Sequence, residues 1–217
     1  VGSAWTWTLN WGEIRSDLVV GSCPMTARDL DTIRAGTATT ALLSLQTDEC
    51  RAAFRIDYRA QVRHARKRGV KLVNVPMRDF DPPDQRRHLP DAVRALHRLL
   101  ADGDRVYVHC TAGINRSPLA VLAYLSFVEG SPAEESLRFI RRGRPEAEPY
   151  QEAFDGCWRD LCAGNRDAVA LAAWTLAQQR PDAAAAANWY AAERQVIRAL
   201  FLAEETRRQR RDVVRRH

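Results

Sequence analysis

What this sequence lacks narrows it first. Its 217 residues hold only five cysteines, at positions 23, 50, 110, 157 and 162. None form a C-x2-C pair, which excludes the usual thiolate metal sites, and an odd count argues against a disulfide scaffold. A reducing compartment, the cytoplasm, is therefore expected. No apolar run approaches the ~18 residues a membrane helix needs, so no membrane insertion is expected. No charged segment followed by an apolar one marks a secretory leader. HExxH and aspartate-rich phosphatase motifs are missing, and neither a metal nor any other cofactor is implied. Zinc-finger and basic-region patterns are missing as well. The net charge of +6 gathers in Arg207, Arg208, Arg210, Arg211, Arg215 and Arg216. These read as a solvated helical tail, and no nucleic-acid partner is expected.

What is present begins with composition. At 46% hydrophobic and 28% charged, the chain suits one hydrophobic core with a small appendage. Leu18–Gly21, Thr40–Leu45, Val70–Val75 and Arg105–Val108 read as strands. Helices are expected over 27–35, 57–67, 89–100, 117–129, 132–142 and 149–162. Strands alternating with crossover helices predict an α/β fold, a central mostly parallel sheet covered on both faces. From Asn165 the texture turns alanine-rich, with helices over 168–179 and 184–208. Leu171, Trp174, Trp189, Val196 and Leu200 are their expected anchors. A pair this small does not stand alone, so residues 165–217 are expected to pack as a C-terminal helical extension on a unit spanning 11–162. Trp5, Trp7 and Trp11 are expected to pack against the core as well.

One segment carries chemistry. His109-Cys110-Thr111-Ala112-Gly113-Ile114-Asn115-Arg116-Ser117 separates a buried strand from a helix that has Pro118 in its first turn. A thiolate and a guanidinium at C-x5-R spacing can share one tetrahedral phosphate. The amides of Thr111, Ala112, Gly113, Ile114, Asn115 and Arg116, converging at a helix N-terminus, complete an anion cradle. In that setting the Cys110 pKa is expected to fall. Gly113 is expected where the loop turns tightly or where a Cβ would obstruct the oxygens. Ser117 can donate to the sulfur, and His109 reads as a support for the loop. An acid for a leaving oxygen has two candidates in Arg78-Asp79-Phe80-Asp81-Pro82-Pro83-Asp84, namely Asp79 and Asp81. Asp81 could instead cap the turn before Pro82, and Asp84 reads as solvated or capping.

The segment HCTAGINRSP resembles the signature loop of the dual-specificity group of cysteine-dependent phosphatases. That resemblance implies Cys110 as nucleophile, Arg116 as the phosphate-binding arginine and Ser117 as the hydroxyl beside it. A longer stretch, roughly residues 11 to 160, is similar to the plant starch phosphatases of the laforin-like glucan phosphatase class. It rests on Leu18-Val19-Val20-Gly21-Ser22, Leu43-Ser44-Leu45-Gln46-Thr47-Asp48, Arg78-Asp79-Phe80-Asp81 and the strand into Cys110. The resemblance makes Asp79 the general acid and gives Phe80 and Phe54 to a substrate channel. Ala53 stands where that class carries a second aromatic. Asn115 and Ser117 replace a glycine and an alanine of the glucan enzymes, and Ser44 stands where some carry a redox-active cysteine. Asn188–Arg194 is similar to a C-terminal helical motif of the smaller starch phosphatases and to a bacterial domain of unknown function. It is read as packing anchored by Trp189.

The expected function is phosphate-monoester hydrolysis through a phosphocysteine, with a phosphorylated glucan as substrate or, in the alternative, a phosphoprotein. Phospholipid, RNA and small metabolites are lesser alternatives. Sulfurtransferase or arsenate-reductase chemistry would use a similar loop without the Asp79 segment. An inactive phosphate-binding module is the non-enzyme alternative.

Overall fold

The computed structural model describes residues 6–215, with side chains as far as residue 203. Trp5 and the arginines of the C-terminal tail lie outside the described residues or side chains.

A five-stranded sheet forms the centre, in the order β1 (Trp11–Arg15), β2 (Leu18–Gly21), β5 (Val106–His109), β3 (Ala41–Ser44), β4 (Lys71–Asn74). β2, β5, β3 and β4 run parallel, and β1 pairs antiparallel with β2. The three inner strands are buried along their whole length. Covered on both faces, they read as continuous apolar runs instead of alternating ones. In register, Val19, Tyr107 and Leu42 face one layer, with Leu30, Ile33 and Ala65 from α1 (Ala27–Thr37) and α3 (Tyr58–Lys67). Val20, Val108 and Leu43 face the other, a larger core built with α4 (Pro82–Ala101), α5 (Arg116–Phe127), α6 (Ala133–Gly143) and α7 (Gln151–Ala163). All twelve residues of α5 are buried, the mark of a helix enclosed on every side.

The register matters for function because Gly21, His109 and Ser44 lie side by side at the carboxyl ends of three parallel strands. Cys110 is the next residue, in the crevice where open α/β sheets bind ligands.

Three elements depart from the sequence expectation. β1 carries no strand signal in the sequence beyond its tryptophan. It forms because its backbone pairs with β2, while Trp11 packs at the smaller core and Trp7 donates its indole N–H to the Cys23 carbonyl at 3.2 Å. The short helix α2 (Asp48–Ala53) was not anticipated, although its cap is local, Thr47 accepting from the Cys50 amide at 3.3 Å. α4 begins at Pro82, well before Leu89. Pro82 and Pro83 fall in the first turn, where a missing N–H is harmless, and Pro90 is carried inside the helix.

The extension consists of α8 (Arg166–Gln179) and α9 (Ala185–Arg215), packed on each other, with α9 docked on α5 and α7. Of the expected anchors Val196 and Leu200 are half-buried, and the other three are exposed. Trp189 is 42% exposed and bonds Glu193 of its own helix, while Leu171 and Trp174 are exposed too. The buried residues of α9 are Asn188, Ala192, Ile197 and Phe201; at about 3.6 residues per turn the first two and the last two lie on opposite faces, with Trp189 between them. Phe201 stacks on Phe127 with centroids 6.0 Å apart, and Tyr190 on Trp158 at 5.8 Å. No described helix is long and apolar enough to cross a membrane.

Candidate active site

The loop from Cys110 to Arg116 joins the end of β5 to the first turn of α5. It wraps its own sulfur. The Gly113 amide donates to Cys110 Sγ at 3.3 Å, and Ser117 Oγ donates to it at the same distance. Cys110 is 3% exposed and Arg116 fully buried. Burial alone pushes the thiol up. The Arg116 charge, the Ser117 hydroxyl and the amides of Ser117 and Gly113 outweigh it, and the Cys110 pKa is lowered. The neighbouring Cys23 has no such charge beside it, and burial drives it up to about 12. The fold thus separates one activated sulfur from an inert one.

Gly113 adopts φ 75°, and a Cβ there would come within 2.5 Å of the Gly21 backbone. The tight turn was anticipated. A Cβ at this turn would also break the close packing of the loop on β2. Asn115, which replaces a glycine of the glucan enzymes, sits at negative φ as the residue before α5. Its side chain donates to the Glu148 carbonyl at 3.0 Å, so the position needs no glycine.

The Arg116 guanidinium organises the rest. One terminal nitrogen donates to the Met77 carbonyl at 3.0 Å and to Cys50 Sγ at 3.3 Å. The other meets Asp79 Oδ2 at 2.5 Å and Thr111 Oγ1 at 3.1 Å. Its Nε is buried without a partner, a donor held ready for an oxygen. Gln46, buried in the segment after β3, donates to Thr111 Oγ1 at 3.2 Å and braces the loop from beneath. Sequence reading gave Gln46 no role, because an amide in a loop carries no signal until its partner is known.

The two candidate acids separate cleanly. Asp81 is the N-cap of α4, accepting from the Asp84 amide at 3.0 Å. Asp84 in turn accepts from the Arg78 amide at 2.8 Å. Both are committed to the helix start, which leaves Asp79 facing the cleft. Phe80, at φ 54°, holds a left-handed conformation uncommon for an aromatic residue, and the residue is 83% exposed. Asp79 and Phe80 lie together with Cys50, Phe54, Cys110 and Asn115 around a cavity of about 540 Å³.

His109 lies behind the loop, 3% exposed, with Nδ1 3.1 Å from the Cys110 carbonyl. Burial lowers its pKa to about 4, well under the usual 6.5. A folded pKa below the unfolded one means that the unfolded chain takes the proton first. Stability is then fully present above about pH 6.5 and declines as pH falls towards about 4, by at most about 3 kcal/mol. Urea melts of His109→Gln and wild type across that window check this. The variant is expected to lose less stability on acidification, and parallel curves would remove the histidine from the account.

Among the described residues no group of three or more His, Cys, Asp or Glu is placed to hold a metal ion. The five cysteines are all free thiols.

A thiol activated by a buried guanidinium, in a loop whose Gly113 amide meets the sulfur and with the Asp79 carboxylate on the same cleft, defines a cysteine-dependent phosphoryl-transfer site. The chain belongs to the dual specificity phosphatase catalytic-domain family, which it matches over residues 35–156. Phosphoglucan phosphatase DSP4, amyloplastic, of Castanea sativa is 32% identical over 168 residues, 76% of this chain and 44% of that one. Dual specificity protein phosphatase 22 of Mus musculus is 33% identical over 81 residues, 37% of this chain and 44% of that one. This chain thus spans less than half the length of either relative. The active form of Tk-PTP superposes with TM-score 0.55 at 26% identity, covering 67% of this chain and 92% of that one.

Proposed function

We propose that this chain hydrolyses phosphate monoesters through a phosphocysteine on Cys110, and that its substrate is a phosphorylated glucan. The observation that carries the chemistry is the shared neighbourhood of Cys110 Sγ, the Ser117 hydroxyl, the Arg116 fork and the Asp79 carboxylate. The Cys110 thiolate attacks phosphorus, an S–P bond forms, and the ester P–O bond breaks. The leaving oxygen takes its proton from the Asp79 carboxyl. Charge on the transferring oxygens is met by Arg116, with its unpartnered Nε, and by the loop amides. Asp79 then takes a proton from water as the water attacks phosphorus. The S–P bond breaks, and Ser117 donates to the departing thiolate. Because Arg116 holds Asp79, a phosphate oxygen that takes the same nitrogen must displace that carboxylate. The displacement returns Asp79 to the leaving-group side. His109 supports the loop through the Cys110 carbonyl. Catalysis is assigned to residues 11–162, which supply every group named, and a bracing role to 165–217, supported by the burial of Phe201 against Phe127.

The glucan assignment is supported by the walls of the cleft. Phe80 presents an exposed ring beside Phe54, surfaces suited to sugar faces. Of the residues lining the cavity none is lysine or arginine, and Glu49 and Asp79 add negative charge. Such a rim suits a neutral polymer bearing one phosphate and disfavours acidic phosphopeptides or polyphosphorylated headgroups. The name of the Castanea sativa relative, a phosphoglucan phosphatase, agrees with this reading. Ala53, which leaves the second aromatic wall out, favours the phosphoprotein alternative. Unpaired thiols favour a reducing compartment, although the same relative is named amyloplastic rather than cytoplasmic.

Phosphate release from phosphorylated amylopectin and glycogen, measured beside phosphotyrosine and phosphoserine peptides, tests the assignment. The glucans are expected to react faster. Phe80→Ala is expected to lower kcat/KM on glucan by about tenfold, equivalent to about 1.4 kcal/mol, while leaving nitrophenyl phosphate turnover in place. Peptides hydrolysed far faster, with glucan turnover indifferent to Phe80, would overturn it.

A further inference from the structure

We infer that Arg144 is a positioning residue for the phosphate loop, fixing from behind the direction in which the loop's amides point. The inference rests on the phosphatase reading above and adds a residue outside the signature segment. Arg144 is the C-cap of α6, where Pro145 forces the chain out of helical conformation. It is 6% exposed. Its Nε donates to the Gly113 carbonyl at 3.2 Å and one terminal nitrogen to the Ala112 carbonyl at 2.9 Å. The chain continues along the same side of the loop. The Glu148 amide donates to the Ile114 carbonyl at 2.7 Å, and Asn115 returns a bond to the Glu148 carbonyl at 3.0 Å. Three successive loop carbonyls are therefore held by one segment, residues 144–148.

The geometry of the peptide bond gives this contact a functional meaning. In a trans peptide the carbonyl of one residue and the N–H of the next point in opposite directions. Holding the carbonyls of Ala112, Gly113 and Ile114 outward turns the amides of Gly113, Ile114 and Asn115 inward. The first of these already meets Cys110 Sγ at 3.3 Å. Without Arg144, two carbonyls lose their donor, and the glycine between them is the residue whose flanking peptides rotate most freely. A peptide that flips would aim a carbonyl oxygen at the phosphate. A guanidinium suits the task because its planar fork reaches two acceptors at once from a buried position.

The test compares wild type with Arg144→Lys, Arg144→Gln and Arg144→Met by four readouts. These are kcat and KM for nitrophenyl phosphate, inhibition by inorganic phosphate, the pH midpoint of Cys110 alkylation by iodoacetamide, and the melting temperature. The other groups facing Cys110 are unchanged in these variants: Arg116 on α5, Asp79 before α4, Cys50 on α2, and Cys23 and His109 beside the loop. Arg144→Gln is expected to lower kcat/KM by about 100-fold, the scale of misplacing a reacting group by about 1 Å. Phosphate inhibition is expected to weaken in parallel, and the alkylation midpoint to rise. Arg144→Lys, keeping the charge and one donor, is expected to recover part of each. If Arg144→Met does not fold, the Lys and Gln variants carry the test. A folded Arg144→Gln with unmoved phosphate inhibition and an unmoved alkylation midpoint would overturn the inference, whatever its melting temperature. The alkylation readout needs no turnover. A wild type without phosphatase activity would therefore defeat the functional reading separately from this one.

Discussion

Cys110→Ser is expected to cut phosphate release from every monoester by on the order of 100,000-fold, the scale seen when a covalent nucleophile is removed. The change swaps one atom in a site whose hydrogen bonds a hydroxyl can largely retain, so the loop and fold are expected to persist. What disappears is the ionised nucleophile. The Arg116 charge, Ser117 hydroxyl and loop amides lower the thiol's pKa against its burial, but the same environment cannot ionise a serine at neutral pH. With Arg116 and the loop in place, the variant should still bind phosphate esters and hold them without turnover. Release of inorganic phosphate at saturating substrate, with phosphate affinity measured alongside, checks both halves. Equal turnover in wild type and variant would favour the inactive phosphate-binding module.

Asp79→Asn is expected to lower kcat by about 100- to 1,000-fold on substrates with sugar-like leaving groups, the usual worth of a positioned acid. The loss of kcat/KM, which reports formation of the S–P bond, should shrink for nitrophenyl phosphate, whose leaving group departs without a proton, while kcat is then limited by hydrolysis of the intermediate. KM is expected to fall, because Asp79 no longer competes for the Arg116 nitrogen that it holds at 2.5 Å. Asp81→Asn supplies the contrast. It touches the cap of α4, and asparagine caps nearly as well as aspartate, so stability and kcat should both stay close to wild type. Asp81→Ala is expected to cost about 1 kcal/mol of stability with kcat largely retained. Steady-state kinetics with two leaving groups, beside urea melts, separates the roles. A leaving-group-independent loss of kcat/KM in Asp79→Asn, or a catalytic loss in Asp81→Asn, would reverse the assignment.

How much of this was legible in the sequence follows from which interactions are local. The inner strands are short apolar runs, and α5 begins where proline and the C-x5-R spacing said it would. The loop chemistry was legible because all its groups fall within nine consecutive residues. Asp79 and Asp81 are not separable by residue type; in the fold Asp81 caps α4 and Asp79 lines the cleft. Gln46 and Arg144 escaped notice because their partners lie 65 and about 32 residues away in the chain. An arginine before a proline at a helix end was the only local hint of the latter. Trp189 misled in the opposite way. A large ring suggests an anchor, but α9 is buried on two faces, at Asn188 and Ala192 and at Ile197 and Phe201, and Trp189 falls on neither. β1 exists through pairing with β2 and has no strong signature of its own.

The central claim is that the phosphoryl group passes through the sulfur of Cys110, and trapping that species tests it most directly. Asp79→Asn, turning over labelled nitrophenyl phosphate, should form the intermediate readily and hydrolyse it slowly, since the base for the attacking water is gone. Rapid quenching followed by peptide mapping is then predicted to find the label on the peptide containing Cys110, and a chase is predicted to release it as inorganic phosphate. Continued turnover with no label on the protein, or label on any other residue, would contradict the account.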